Sequence, residues 1–462
     1  MTKLLSLKNS EPISNAFKKI KGKFGQILFI VDNKKNFLGT ISEGDLRRSI
    51  LQGKSLKSKV SQIMNKKPMF LFKDELTLNS SKRMGINLGK TMDRPLVIPI
   101  ISRDKKLLGA ISTEKYFYSN KTKTSKKIKK KLPNVLIVGG AGYIGSNLSL
   151  KLLNLGYKIK ILDKFLYDKK VFKKNKNLSV IKKDISDIHV QYEVLKDIDA
   201  VIYLAEIVGD PSCAARPQDA LKTNYIALNS LATLCSYMNI NRFIYTSSCS
   251  VYGASSDDTK ILNEESPLNP VSLYARIKIL SEKSLLSQPN FLFAPTILRL
   301  GTVYGYSIRN RFDLVMNIFA KDAYFKKNIN IYGGNQWRPN IHVDDVANGI
   351  IKVLEAPIDK VERKVFNLTN SRENLRIKDM ASKAVKVFKG CKISVSTNNS
   401  DNRNYRVSSK KIEKILKFKA KYTIEKSLQN FKKIFRDKKI INPFLKKFNN
   451  YESLKNEPKK TK

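Results

Sequence analysis

The sequence predicts a mixed α/β protein: a doubly wound parallel sheet with a small C-terminal substrate subdomain, preceded by a tandem α+β pair. Three observations predict it. After residue 132, short apolar runs alternate with helical segments. A glycine-rich turn joins the first of those runs to a helix. Before residue 121, one pattern occurs twice.

The repeated pattern comes first in the chain. Phe29 to Leu46 reads FIVDNKKNFLGTISEGDL, and Ile98 to Lys115 reads IPIISRDKKLLGAISTEK. Gly39 aligns with Gly109, Ile41 with Ile111 and Ser42 with Ser112, an offset of 109 − 39 = 70 residues. Each copy predicts an apolar strand, a charged turn and a second strand after the glycine. An amphipathic helix is expected from Glu43 to about Leu51. The stretch Lys121 to Lys131, KTKTSKKIKKK, carries seven lysines and no acid. Like charges repel and stay hydrated, which predicts an exposed linker; a phosphate- or RNA-binding arm is the alternative. The expected division is therefore 1–120 for the repeat pair, 121–132 for the linker, 133–436 for the large domain and 437–462 for a basic tail.

The large domain opens the alternating pattern. Asn134 to Val138, Lys158 to Leu162, Leu178 to Ile181, Ala200 to Leu204, Arg242 to Thr246 and Thr296 to Leu300 are continuous β-rich runs. Such runs suit parallel strands buried on both faces. Val135 to Asn147 reads VLIVGGAGYIGSN, with glycines at 139, 142 and 145. The first permits a tight turn, the second lets backbone approach a pyrophosphate, and the third lets helix and strand pack closely. The helix N-terminus then offers free N–H groups to the phosphates. Asp163 ends the second strand, where an acid accepts from both ribose hydroxyls and repels a 2′-phosphate, favouring NAD over NADP. Lys164 beside it weakens that preference. Asp184 and Ile185 follow the third strand, placed for the adenine.

Tyr274 and Lys278 have YxxxK spacing, one face of a helix. An ammonium beside a phenol favours the phenolate, a base usable near neutral pH. Ser248 ends an apolar strand 274 − 248 = 26 residues upstream. Doubly wound folds place their ligands at such strand ends.

With these motifs in hand, the stretch from about Pro133 to Phe435 resembles an extended short-chain dehydrogenase/reductase of the nucleotide-sugar epimerase/dehydratase family. The resemblance implies a Rossmann-type sheet and bound NAD. It implies cofactor contacts from Gly139, Gly142, Tyr143, Ile144, Gly145, Asp163, Asp184, Ile185 and Lys278, and, through VIYLAEIVGDPSC, from Leu204, Ala205 and Glu206. Asn224 matches a structural asparagine, and RLGTVYG (Arg299 to Gly305) and RPNIHVDD (Arg338 to Asp345) match substrate-side motifs. Tyr274 is then the acid/base, Lys278 holds the ribose and tunes Tyr274, and Ser248 hydrogen-bonds the reacting hydroxyl. Ser250, Thr302 and Arg338 are the expected substrate contacts, with Arg338 clamping the diphosphate. His342 is expected to be a structural hydrogen-bonder.

The residues after Ser248 bear on the reaction. Family dehydratases carry an Asp-Glu pair there, and this chain has Cys249-Ser250. The C3/C5 epimerases carry a cysteine two residues past the serine, where Ser250 stands; Cys249 is expected to point away as a small buried thiol. What remains is the hydride chemistry of the sugar 4-epimerases, as in UDP-glucose 4-epimerase, with a nucleotide-diphosphate sugar as substrate. Thr302 stands where the galactose-type enzymes carry an asparagine, and another of their asparagines lies near Asp313, an acid where a diphosphate partner is expected, with Arg311 placed to compensate it. A 4-keto nucleotide-sugar reductase and a non-catalytic NAD-binding sensor are the alternatives.

Residues from about Ser6 to Ser119 resemble a pair of CBS modules. That family's ligand signature, a Ser/Thr followed three positions later by Asp, stands in copy one as Ser42 and Asp45; copy two has Lys115 in place of the acid. One adenosine site, for AMP or ATP, is expected, with a ligand-free dimerisation module as the alternative.

Bulk properties bound the partners. The 462 residues carry 88 Lys+Arg against 39 Asp+Glu, a net charge of +49. The excess is mostly lysine scattered singly, so nucleic acid is not the expected partner. The linker and the tail from Phe431, with eleven Lys/Arg against three acids, are the alternative anionic-ligand surface. Four cysteines without a CxxC pair, and two histidines, argue against zinc and for a reducing compartment. No stretch has the apolar length of a membrane span, so a cytoplasmic location is expected. The tail from Asn442, poor in pattern, is expected to be partly disordered. The family resemblance implies a homodimer through the helix carrying Tyr274 and the one beginning near Ala220.

Overall fold

The computed structural model describes residues 5–20, 27–73, 97–112, 132–167, 172–254, 260–288, 290, 293–396 and 403–455. The linker lysines before Leu132 and Lys115 lie outside the described residues, as do residues 456–462. The chain divides into two compact units, an N-terminal one up to Lys130 and a larger one from Lys131.

The N-terminal unit holds two three-stranded sheets, β1 (Ser6–Lys8), β2 (Ile27–Val31) and β3 (Phe37–Ser42), and β4 (Leu71–Phe72), β5 (Val97–Ile101) and β6 (Leu107–Ser112). In each, the first strand runs parallel to the second and the second antiparallel to the third. Ile27 pairs with Ser42 and Val97 with Ser112, and both hairpins slip register at one place, Ile30/Val31 and Ile100/Ile101. The 70-residue offset therefore extends to the hydrogen-bond ladder. Both turns put a lysine at positive φ, Lys35 at 65° and Lys105 at 61°. In the first, Asp32 Oδ1 accepts from the N–H groups of Lys34 and Asn36. The helix Glu43–Leu51 follows copy one, as the sequence predicts. The helix Ile13–Ile20 buries Ile13, Ala16 and Ile20 against Leu28, Ile30, Ile41 and Leu46. Phe29 and Phe37 of copy one pack with Ile101 of copy two.

In the larger unit, seven parallel strands form one sheet: β7 (Asn134–Val138), β8 (Lys158–Asp163), β9 (Leu178–Lys182), β10 (Ala200–Tyr203), β11 (Arg242–Ser248), β13 (Ala294–Leu300) and β17 (Val365–Leu368), with β12 (Ile261–Leu262), β14 (Thr302–Tyr304), β15 (Asn328–Tyr332) and β16 (Trp337–His342) between them in sequence. The spatial order is β17-β13-β11-β10-β7-β8-β9. Its centre is buried on both faces, and the pleat sorts alternate residues into two cores. Val135, Ile137, Ala200 and Ile202 face one core; Leu136, Val138, Val201 and Tyr203 face the other. The helices Tyr143–Asn154 and Val343–Glu355 pack into the first core through Leu148, Leu152, Val346 and Ile350. The helices Ile188–Val194 and Ala227–Tyr237 pack into the second through Val190, Leu228 and Leu231. The order reverses about β7 and β10, so strand ends open a crevice there.

The subdomain is built from β14, β16 and β18 (Asn370–Arg376), from β15 with β19 (Lys392–Ser396), and from the helices Val315–Phe325, Ile377–Val387 and Ile424–Arg436, around Phe312, Phe319, Phe431 and Phe435. β20 (Arg406–Val407) pairs with β12.

The described part of the tail, through Lys455, holds a 3₁₀ turn Lys446–Phe448 and a helix Asn450–Lys455. Phe448 stacks edge-on against Phe312 at 5.6 Å, and its carbonyl accepts from Phe312 N at 2.8 Å. A few docked groups, Phe448, Asn450 and Leu454, anchor this otherwise polar segment. Among the described residues no helix is long and apolar enough to cross a membrane.

Candidate active site

The strand ends of the larger unit line a cavity of about 880 Å³, within the range of about 300–1,000 Å³ usual for ligand sites. The glycine turn forms one end. Gly139 has φ 83°, and a Cβ there would lie 2.6 Å from Ala205 N. A Cβ on Gly145 would lie 2.3 Å from the Gly139 carbonyl. Turn, helix and β10 loop therefore close on one another without side chains. The helix Tyr143–Asn154 starts at Gly142 with no side-chain cap, and Gly142 and Gly145 line the cavity. Tyr143 and Ile144 line the wall, and the Tyr143 hydroxyl donates to the Gly305 carbonyl at 2.6 Å, tying the turn to the subdomain.

Asp163 sits beside this turn. Its carboxylate accepts from Ala141 N at 2.9 Å and Phe165 N at 2.8 Å. Burial nonetheless holds its acidity below that of an ordinary aspartate, with the two N–H groups opposing. Lys164 pairs with Asp184 at 3.2 Å. Although burial pushes the Asp184 carboxyl up, Ser186 N–H and Lys164 outweigh it and hold the group below the usual range. Ile185, Leu204, Ala205 and Glu206 also line the cavity. A glycine cradle, uncapped helix donors and an acid at the second strand end together fit a dinucleotide.

Ser248, Tyr274 and Lys278 line the same cavity. Ser248 ends β11, and its Oγ accepts from Ser250 N at 3.1 Å. Ser250 Oγ is buried without a hydrogen-bond partner among the described residues and lines the cavity, as does Thr302. Cys249 turns the other way, 1% exposed, among Val251, Tyr252, Tyr405 and Val407, and burial pushes its thiol far up. Tyr274 and Lys278 share one face of the helix Leu273–Leu286. The Lys278 ammonium is 5.5 Å from the Tyr274 ring centre, pairs with Glu206 and donates to the Thr246 carbonyl at 2.5 Å. The expected lowering of the Tyr274 phenol is not what the geometry gives. Burial, then Glu206, Cys213 and Asp210, hold it well above the ordinary tyrosine value, against Arg311.

Other expected residues take these places. Asn224 forms two 2.9 Å hydrogen bonds with the backbone of Ile207 and shapes the loop after β10. His342 caps the helix Val343–Glu355, stacks on Tyr422 at 4.4 Å, and is pushed down to about 4 by burial, a structural role. Arg338 is 4% exposed on β16 and lies outside the cavity wall, with Nη1 donating to the carbonyls of Trp337 and Arg403. Arg311 forks onto Asp313 with two 2.9 Å bonds, the expected compensation, and lines the cavity. In the N-terminal unit, Asp45 accepts from Ser42 N, Ser42 Oγ and Arg48, a capping box for its own helix.

Sequence reasoning missed two clusters. Arg299 on β13 forks onto Glu282 of the Tyr274 helix at 2.7–3.2 Å, and Ser247 donates to the same carboxylate. This buried pair fixes the helix against the sheet. The second cluster belongs to the tail. Asn450 accepts from Arg309 at 2.6 Å and donates to Asp313, Arg216 donates to the Leu454 carbonyl, and Leu454 packs on Tyr274 and Cys213. The paired arginines 309 and 311 were the only available signal.

Comparison with known proteins agrees with this geometry. The model of the NAD dependent epimerase/dehydratase family matches residues 135–369, and that of the CBS domain matches residues 1–52. UDP-glucose 4-epimerase of Bacillus subtilis is 28% identical over 264 residues, 51% of this chain and 76% of its own length. UDP-N-acetyl-alpha-D-glucosaminuronate decarboxylase of Bacillus cytotoxicus is 26% identical over 247 residues, 52% of this chain and 75% of its own. The structure of UDP-glucuronic acid 4-epimerase from Bacillus cereus, in complex with UDP-glucuronic acid and NAD, aligns with a TM-score of 0.59 and 24% identity, over 66% of this chain and 99% of that one. The last likeness speaks to the fold alone.

Proposed function

Since the chain belongs to the NAD-dependent epimerase/dehydratase family, we propose that it is an NAD-dependent 4-epimerase of a nucleotide-diphosphate sugar. One observation carries the reading: Ser248, Tyr274 and Lys278 share one cavity with the glycine turn and Asp163. NAD, when bound, accepts hydride from the sugar carbon and returns it to the opposite face. Gly139, Gly142, Gly145, Asp163, Asp184 and Ile185 hold the cofactor in this reading, and Lys278 reaches toward its ribose. Tyr274 Oη takes the proton of the C4 hydroxyl during oxidation and gives it back during reduction. Ser248 Oγ holds the reacting oxygen, and Ser250 and Thr302 contact the substrate. Arg338 lies outside the cavity wall, and in this reading Arg309 and Arg311, two of the several cations that line it, take the diphosphate role expected of Arg338.

Two further parts belong to the same reading. Ile226 precedes the helix Ala227–Tyr237, Tyr237 ends it, Leu280 lies on the Tyr274 helix, and all are exposed, which supports a homodimer through those helices. An adenine nucleotide at copy one of the N-terminal repeat regulates the enzyme, and its binding takes Asp45 from its present partners.

The test is incubation of purified protein with UDP-glucose, UDP-N-acetylglucosamine and their 4-epimers, without added reductant, with chromatographic separation. Interconversion that falls by at least about 100-fold in Tyr274→Phe is expected. NADH-dependent reduction of a 4-keto nucleotide sugar without interconversion makes the protein a reductase. Neither activity, with NAD retained, makes it a sensor.

A further inference from the structure

The turn after the helix Ile424–Arg436 combines dense positive charge with exposed apolar side chains. From Phe431 to Lys447 the chain carries seven Lys/Arg against one acid, Asp437, whereas the whole chain carries 88 against 39. Amid that charge Ile441, Phe444 and Leu445 are 79%, 46% and 47% exposed. The basic excess here is steeper than in the chain at large, and three neighbouring apolar groups in water mark an interaction surface. We propose that this turn docks on an anionic lipid bilayer: Ile441, Phe444 and Leu445 enter the boundary between headgroups and acyl chains, and the pairs Lys438–Lys439 and Lys446–Lys447 meet the lipid phosphates. The inference is independent of the reaction proposed above.

The fold holds the turn in this form. Lys438 takes a positive φ of 52°, and Lys439 N donates to the Ile434 carbonyl at 3.1 Å, so the chain reverses at the helix end. Ile440 is buried in the subdomain core, and Pro443 is buried too. Asn442 Oδ1 accepts from Phe444 N at 3.0 Å. Beyond the turn, Phe448 is fixed on Phe312. These anchors leave Ile441, Phe444 and Leu445 on the outside. The helix Val315–Phe325 and the residue after it bring two more cations to the same face. The ammonium groups of Lys321 and Lys326 lie 4.9 Å and 5.2 Å from the centre of the Phe444 ring, with Asp322 as their shared acid.

The chemistry of the patch selects the partner. A bilayer takes apolar tips into its interface while lysines lay their stems along the apolar boundary and keep their ammonium groups at anionic headgroups. A protein partner fits less well, because protein interfaces are depleted in lysine. A nucleic acid uses the lysines but gains nothing from Ile441 and Leu445, which have neither a hydrogen-bonding group nor a face on which a base stacks. Among the described residues, none from 438 to 447 lines the cavity, so the surface can be altered without touching the site.

The test must separate insertion from adsorption by charge, since a chain of net charge +49 is drawn to any polyanion. Full-length protein is sedimented with vesicles of phosphatidylcholine, alone or mixed with phosphatidylglycerol. Wild type is expected to bind the mixed vesicles more tightly than the neutral ones, and Ile441→Ser with Leu445→Ser, which leaves the charge unchanged, to bind the mixed vesicles about tenfold more weakly or worse. Ile441→Ser alone, at the most exposed position, covers the case in which the double variant does not fold. Depth is read separately. The four cysteines are buried, so Ile441→Cys supplies an exposed thiol for an environment-sensitive fluorophore. Its emission should shift to the blue on the mixed vesicles and be quenched by brominated acyl chains, whereas the same label on Leu51→Cys, 81% exposed in wild type, stays in water. No binding to the mixed vesicles overturns the proposal. Equal binding of wild type and the serine variants, or a label at position 441 that stays in water, overturns it in favour of adsorption by scattered lysines. Retention on duplex DNA that falls in Lys438→Gln with Lys439→Gln, beside vesicle binding that Ile441→Ser does not change, overturns it in favour of a nucleic-acid surface.

Discussion

The ion pairs described in the N-terminal unit are all local, whereas the larger unit adds buried partnerships between groups far apart in the chain. In the N-terminal unit, Asp32 serves Lys34 and Asn36, Asp45 serves Ser42 and Arg48, and Glu43 meets Arg47, all within four positions. In the larger unit, Glu282 reaches Arg299 across 17 positions, Glu373 reaches Tyr304 across 69, and Glu206 reaches Lys278 across 72. The first kind of partnership forms in an isolated turn or helix end. The second exists only when the sheet has closed. A short acidic motif therefore has a local explanation available before any ligand is invoked, and a buried acid with a distant partner does not.

The largest effect should come from breaking a distant pair. Arg299→Ala leaves Glu282 buried beside Ser247 without its cation, at an expected cost of about 3–5 kcal/mol of stability. Denaturant unfolding measures it. Replacing both partners, Arg299→Met with Glu282→Leu, should cost much less than the single change, since no charge is then stranded. A single change costing under about 1 kcal/mol would place this pair with the local ones.

Next comes His342, whose neutral form is built in. Its folded value is about 4 against an ordinary 6.5, so between those pH values the unfolded chain binds more protons. Stability is fully present above pH 6.5 and falls as the pH drops toward 4, by about 3 kcal/mol from this one group. His342→Asn keeps a capping acceptor for Asp344 N and removes the titration, so its stability should fall less over the same window. Equal slopes in the two proteins would mean that burial does not hold the imidazole neutral.

The same contrast of distance explains what the sequence made legible. Six of the seven central strands, the glycine turn, the 70-residue repeat and the YxxxK face are patterns within a few residues, and all stand where expected. The seventh strand, Val365–Leu368, escaped because Asn367 interrupts its apolar run, VFNL. The sequence also placed Lys278 beside Tyr274 but could not reveal that Glu206, from another strand end, would claim its charge. Arg338 carried the right residue type, yet the fold turns it toward the carbonyls of Trp337 and Arg403. The tail read as patternless because its anchors are single residues meeting distant partners.

That tail offers an intermediate test. Leu454 is 4% exposed and packs against Tyr274 and Cys213 from a terminal helix. Leu454→Ala should cost about 2 kcal/mol, at the low end for such truncations because a chain end relaxes more easily than a sheet. Sugar turnover should fall with it, since this side chain walls the cavity beside Tyr274. A variant with unchanged stability and turnover would detach the tail from the site.

The smallest effect belongs to the local partnership. Ser42 Oγ accepts from Asp45 N at 3.2 Å and caps the helix Glu43–Leu51. Ser42→Ala should cost about 1 kcal/mol in the absence of any nucleotide, because the lost bond is an N-cap. The measurement is denaturant unfolding with and without AMP. A cap alone gives the same loss in both conditions. A ribose contact adds a further loss with AMP, through the fraction of stability that ligand binding contributes. A variant that matches wild type without AMP and differs only with it would show that the serine and acid serve a ligand first. The contrast between near and distant partners would then fail at the very motif that suggested it.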